Sequence, residues 1–175
     1  MNPFKILQEL AAKSRSHAAG LPAQEAAIKT WSGVAFRVAG CRFLSPLGEV
    51  VEVLDVPRFT QIPGVKPWVK GIANVRGRLL PIMDFASFLG TSSNKLLRAR
   101  KVLVVDYKGV LAGLIVDEVM GMQHFPSSEF QKATAKTIDE VQSYILGEFP
   151  RDDRLWTVIS LFKLAQDQEF VQVAV

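Results

Sequence analysis

The side chains with reactive chemistry in this chain are few and dispersed. His17 and His124 are far apart and Cys41 is the single cysteine, so neither a metal-ligand spacing nor an internal disulfide can be assembled from them. Asp84, Asp106, Asp117 and Glu118 fall at the ends of expected strands, where helix capping or a solvated rim accounts for them without acid–base work. Gly71 and Gly77 resemble a phosphate loop in spacing, but no Lys-Ser or Lys-Thr follows the second glycine and the segment runs on into a strand. It is read as a turn. Lys95, Arg98, Arg100 and Lys101 form the densest run of positive charge and could neutralise phosphates. The stacking half of nucleic-acid recognition is missing, because Phe36, Phe43 and Trp156 lack the alternating basic neighbours of a base platform. A solvated linker is the expectation, with a basic double-barrel module binding nucleic acid as the alternative. No catalytic residue, metal or cofactor is expected, which leaves binding as the chemistry to explain.

The elements that must position any binding residues repeat along the chain. Trp68-Val69-Lys70-Gly71 recurs as Tyr144-Ile145-Leu146-Gly147, and Arg78-Leu79-Leu80-Pro81-Ile82-Met83-Asp84-Phe85 recurs as Arg154-Leu155-Trp156-Thr157-Val158-Ile159-Ser160-Leu161. Both matches are offset by 76 positions (68 to 144, 78 to 154). Upstream, the strand, turn and strand around Ala39-Gly40 and the following Gly48 to Val53 resemble those around Lys108-Gly109 and the following Val116 to Met120. Two copies of one unit are expected. They differ most at Ala73-Asn74-Val75-Arg76-Gly77 against Phe149-Pro150-Arg151-Asp152-Asp153, the place to look for function.

A chain of 175 residues, 49% hydrophobic and with a net charge of +4, can bury a core without a staple. No apolar run approaches the roughly 18 residues of a membrane span, and no basic segment leads into an apolar stretch and cleavage site at the start, so a cytoplasmic protein without direct membrane insertion is expected. Asn2-Pro3 followed by Phe4, Leu7, Leu10 and Ala11 predicts a helix that fades by Gly20, giving an N-terminal helical extension over 1–30. From Gly33 the period changes to two, with a first hairpin turning at Ala39-Gly40, a strand over Glu49 to Val56, and a pair over Trp68 to Asn74 and Arg78 to Met83. Asp84 is expected to cap a short helix, and Thr91 to Arg100 is the expected boundary. The second copy continues with strands over Val102 to Asp106 and, unbroken, Val110 to Val119, then Tyr144 to Phe149 and Leu155 to Ile159, before a closing helix over 160–168 capped by Ser160. Short strands, glycine turns and brief helices predict an all-β architecture of small barrels, the first about 31–90 and the second about 101–160.

The run Val69-Lys70-Gly71-Ile72-Ala73-Asn74-Val75-Arg76-Gly77-Arg78-Leu79-Leu80-Pro81-Ile82-Met83-Asp84 closely resembles the signature of the CheW-type coupling proteins of bacterial chemosensory systems. Gly48 to Leu54 upstream and Ala112 to Val119 downstream extend the resemblance to about Val34 to Ala165. Leu21-Pro22-Ala23-Gln24 and Trp31-Ser32-Gly33 resemble the branch serving type IV pili and twitching motility. The resemblance implies two five-stranded SH3-like β-barrels around a shared core, over residues 31–175, and a scaffold without chemistry of its own. It implies partners of two kinds, the cytoplasmic tip of a methyl-accepting chemoreceptor and the regulatory domain of a CheA-like histidine kinase, and recruitment to membrane-associated receptor arrays. Nucleic acid is not among them. The receptor-binding positions implied fall on Val50, Glu52, Arg76, Gly113, Val119 and Met122, with Asn74 and Gly77 supporting the turn. Val50, Val119 and Met122 would floor a groove for a helix pair, Arg76 would grip a carboxylate or helix-end carbonyls, and Glu52 would hold Arg76 in place. Met122 departs from the family's β-branched residue, although its flexible thioether can fill the same apolar site.

Overall fold

The structure, a computed structural model, describes residue 6 and residues 29–134 and 139–172. The expected N-terminal extension lies outside them except at Ile6, Lys29 and Thr30. Strands β1 (Thr30–Val38), β2 (Cys41–Pro46), β3 (Glu52–Asp55), β4 (Val69–Val75) and β5 (Arg78–Asp84) lead to helix α1 (Phe85–Phe88). Strands β6 (Lys101–Tyr107), β7 (Val110–Val116), β8 (Glu118–Pro126), β9 (Ile145–Arg151) and β10 (Arg154–Ile159) lead to α2 (Leu161–Gln166) and α3 (Gln168–Val171).

The repeat is visible in the backbone. Four hairpins turn through two residues each, at Ala39-Gly40, Arg76-Gly77, Lys108-Gly109 and Asp152-Asp153, with every turn residue at a positive φ between 49° and 85°. These left-handed pairs match the twist of antiparallel strands. The two copies also end alike: Asp84 accepts from the backbone N–H of Ala86 at 3.1 Å to cap α1, and Ser160 accepts from that of Lys163 at 3.2 Å to cap α2. The expected closing helix over 160–168 is divided, because Asp167 stops α2 and caps α3. Tyr144 ties that junction down by donating to Asp167 Oδ2 at 2.8 Å.

The copies do not fold separately. One sheet has the order β8-β1-β2-β10-β9 and the other β3-β6-β7-β5-β4. Each sheet therefore takes its central hairpin from one copy and its remaining strands from the other. The parallel joints are β2 against β10, pairing Phe43 with Thr157, and β5 against β7, pairing Ile82 with Gly113. The boundaries expected at 31–90 and 101–160 follow the order of the repeat along the chain, whereas the sheets comprise residues 30–46 with 118–159, and 52–116. Where unbroken strand was expected over Val110 to Val119, the chain turns at Asp117, whose carboxylate accepts from Ala39 N at 2.7 Å, and passes from one sheet to the other.

The result is an all-β fold of two five-stranded sheets, with ladders that among the described residues run from β8 to β9 and from β3 to β4 without a closing pair. Connecting segments cover two of the edges. Thr60 and Ile72 exchange two backbone hydrogen bonds at 2.9 Å beside β4, and Gln131 and Glu148 do the same beside β9. A shared core between the sheets contains Phe36, Phe43, Phe85, Leu103, Leu114 and Ile159, and each sheet has its own smaller cluster, around Phe125, Phe149 and Trp156 in one and Leu80, Ile82 and Val102 in the other.

The Thr91 to Arg100 connection ends in the interior instead of in solvent. Arg100 is 4% exposed, donates to both oxygens of Asp84 at 2.9 and 2.8 Å, and lies 3.2 Å from Asp117. Burial alone pushes the Asp84 carboxyl up, but the hydrogen bonds and charge of Arg100, with the Ser87 amide, outweigh it and hold that carboxyl below its ordinary value of 3.8. One guanidinium thus joins the cap of α1 to the crossing point between the sheets.

Candidate functional site

The β4–β5 hairpin carries the most distinctive geometry among the expected binding residues. Asn74 Oδ1 accepts from Gly77 N at 2.9 Å, an Asx turn that fixes the hairpin tip and sets Arg76 at φ 52°. There the Arg76 guanidinium meets Glu52 at the start of β3, the opposite edge strand of the same sheet, donating to Oε2 at 3.0 Å and lying 2.5 Å from Oε1. Contact with both carboxylate oxygens is the fork geometry that lysine cannot reproduce. The Arg76 side chain remains 75% exposed against 30% for Glu52, so the carboxylate orients the guanidinium and leaves most of it open to a partner. A shallow cavity of about 110 Å³ opens beside the pair, with Val75, Leu80, Val104 and Leu111 as its apolar lining.

The remaining positions separate into layers. Val50 lies ahead of β3, and both it and Val119 on β8 are half-buried against the shared core. Met122, opposite Val34 in the β1–β8 ladder, is 53% exposed. Gly113 lies beneath the site instead of on it: a Cβ there would sit 2.9 Å from Val102 Cγ1 and 3.0 Å from Ile82 Cδ1, inside the cluster under the Arg76 cavity. The absence of a side chain lets β5, β6 and β7 pack together. Gly113→Ala should accordingly lower stability in a denaturant titration by about 1–3 kcal/mol through overpacking, while the folded fraction retains its partner binding; a stable protein that no longer binds would make this glycine a contact residue.

Sequence reasoning missed two features here. Arg78, next to the turn, pairs with Asp106 at 2.9 Å and lines the same cavity, so two guanidiniums flank it; its place in the repeated Arg-Leu pair, matched by Arg154, was the available signal. Leu79, Val51 and Val53 are exposed at 67%, 61% and 42%, an apolar rim that strand alternation marks but does not orient. The basic cluster from 95 to 101 dissolves into local pairs: Lys95 with Glu118 at 3.4 Å, Lys101 with Asp55 at 2.5 Å, and Arg100 inside. Only Arg98 of the four is left on the surface without an ion pair among the described residues, so the run does not form one contiguous uncompensated patch. Among the described residues no group of three His, Cys, Asp or Glu side chains could hold a metal, and no helix is long and apolar enough to cross a membrane.

Protein PilI of Pseudomonas aeruginosa is 53% identical over 173 residues, which cover 99% of this chain and 97% of the relative, so its similarity includes the N-terminal extension. The chemotaxis protein CheW of Bacillus subtilis is 25% identical over 81% of this chain and 90% of its own. The crystal structure of the scaffolding protein TtCheW from Thermoanaerobacter tengcongensis superimposes with a TM-score of 0.66 at 25% identity, over 75% of this chain and 89% of that one. The CheW-like domain matches residues 32–169, which take in every strand but the first two residues of β1, and with them the Arg76 hairpin and both sheets, and this chain belongs to the CheW-like family.

Proposed function

We propose that this protein is a non-catalytic adaptor that couples chemoreceptor-type proteins to a histidine kinase in a chemosensory system. The observation that carries the reading is the match of the CheW-like domain to both sheets together, with the Arg76–Glu52 pair presented at a fixed hairpin tip. The partners are the cytoplasmic tip of a receptor, held by Arg76, Glu52 and the apolar residues near them, and the regulatory domain of a CheA-like kinase. Curling of the two sheets into SH3-like barrels would leave a groove between them for the receptor's helices. The 53% identity to Protein PilI supports a system that controls type IV pili and twitching, with the adaptor in the cytoplasm and recruited to membrane-associated arrays. Affinity capture with the tagged full-length protein from its native bacterium is expected to retain a receptor and a kinase together; recovery of neither overturns the proposal.

The apolar positions make the reading residue-specific. Met122→Asp changes an exposed side chain and should shift stability by less than about 0.5 kcal/mol while weakening receptor capture about tenfold. Val119→Asp places a carboxylate against the shared core and should cost several kcal/mol of stability by urea titration. Unchanged capture by Met122→Asp removes that residue from the contact, and an undiminished melt for Val119→Asp moves Val119 from core support to open surface.

A further inference from the structure

A cavity of about 930 Å³ lies away from the Arg76 hairpin, between the β1–β2 turn, the Thr91–Lys95 segment and the start of β10. We propose that it is a docking cleft for an acidic peptide segment of a partner protein. Its charge is one-sided: Arg37, Arg42, Lys95 and Arg154 line it, against the single carboxylate of Asp117. Asp117 is itself committed to Arg100 and to the Ala39 amide. Glu118 answers Arg37 and Lys95 together. Among the described residues neither Arg42 nor Arg154 has an ion-pair partner, so two of the arginines that line the cleft have no carboxylate in contact.

The placement of these arginines costs the fold something. Arg37 stands directly opposite Arg42 in the β1–β2 ladder and Arg151 directly opposite Arg154 in the β9–β10 ladder, two like-charged cross-strand pairs of which the first is partly offset by Glu118 on Arg37. Departures from local consistency of this kind are expected where function requires them. Arg42 is also preorganised, its guanidinium 5.1 Å from the centre of the Trp156 ring, so less side-chain freedom is lost when it takes a carboxylate.

The shape favours a peptide over a phosphate group. The Ala39 amide of the nearest turn is already used by Asp117, so the turn does not offer that N–H to an anion. The donors are instead long-armed guanidiniums and the hydroxyls of Thr91, Ser92 and Ser93, spread along an open trough too large for one phosphate. Leu155, 45% exposed, adds an apolar contact at the same rim. Carboxylates dispersed along an extended chain, with an apolar residue among them, meet that pattern.

The test uses the full-length protein and a fluorescein-labelled decapeptide of glutamate and aspartate with one central leucine, read by anisotropy at low and physiological salt. Saturable binding is expected, weakened about tenfold or more in Arg42→Glu and in Arg154→Glu, and unchanged in Lys163→Glu on the exposed face of α2. Arg42→Gln and Arg154→Gln, with circular dichroism melts beside them, keep the outcome readable if a charge reversal disturbs the fold. The proposal is overturned by absence of saturable binding, by equal loss in Lys163→Glu, which would mean diffuse attraction to a basic protein, or by pyrophosphate binding more tightly than the peptide and displacing it, which would make the cleft a phosphate site.

Discussion

Arg100→Ala is expected to lower the stability of this protein by about 3–5 kcal/mol. The guanidinium is sealed in, 5% exposed, and it is the counter-ion of two buried carboxylates, Asp84 and Asp117, exposed at only 12% and 7%. Removing it strips both of the cation in contact with them, at the point where the first helix is capped and the chain changes sheets, and leaves backbone amides as their main partners. The sign with pH follows from the Asp84 carboxyl, which Arg100 holds below its ordinary value of 3.8. A depressed folded-state value means that its contribution is complete above pH 3.8 and is lost as the pH falls further, so the parent protein should weaken on acidification. Without Arg100 burial dominates, the carboxyl is pushed up, and the variant should gain stability as the pH is lowered from 7 towards about 4. Urea titrations of the variant from pH 7 to about 4, and of the parent continued below pH 3.8, measure the two opposite trends. Arg100→Met with Asp117→Asn, which removes one of the two stranded charges, should recover part of the loss. Parallel pH profiles, or a loss below about 1 kcal/mol, would show that solvent reaches the triad and that the ion pair is a surface one.

Arg100 also illustrates what the sequence could and could not say. Most strand positions, the glycine-bearing hairpin turns and both helix caps were legible because they follow from local rules: alternation of apolar residues, a glycine where φ must be positive, an aspartate or serine ahead of a short apolar turn. Strand β8 was not, because Glu118 to Pro126 mixes exposed and half-buried residues without clean alternation. The repeat at 76 positions was legible for the same reason, since equivalent backbone needs equivalent residues. Which copy a strand pairs with is not a local property. Ile82 beside Gly113 and Phe43 beside Thr157 are parallel joints between distant segments, and they exchange the central hairpins between the copies, so the expected barrel boundaries do not describe the sheets. Arg100 looked like one member of a solvated cluster because its neighbours in sequence are Arg98 and Lys101; its neighbours in space are Asp84 and Asp117. At the candidate site the turn chemistry of Asn74, Arg76 and Gly77 and the pairing with Glu52 were within reach of sequence reasoning, and the burial of Gly113 was not, because a glycine in a strand reads the same whether it faces a ligand or a packed neighbour.

Arg76→Ala should leave folding nearly untouched and abolish receptor capture, a loss of about 2 kcal/mol or more in binding, or roughly thirtyfold. The two effects separate because the Arg76–Glu52 pair is largely in water on the arginine side, where such pairs contribute about 0–1 kcal/mol to stability. The hairpin conformation supplies a sharper control. Arg76 holds φ 52°, a left-handed conformation that costs any residue with a Cβ and costs glycine little, so Arg76→Gly removes the guanidinium while relieving backbone strain. It should match Arg76→Ala in lost capture yet melt at or above the temperature of the alanine variant. Arg76→Lys keeps the charge but not the fork that meets both oxygens of Glu52, and should bind little better than alanine. Glu52→Gln leaves the guanidinium present but weakly oriented, and an intermediate loss is expected of it. If lysine restores capture in full, the site reads charge alone and the bidentate geometry is incidental; if all four variants capture receptor normally, the hairpin tip is not the contact and the search moves to the exposed apolar rim of Val51, Val53 and Leu79.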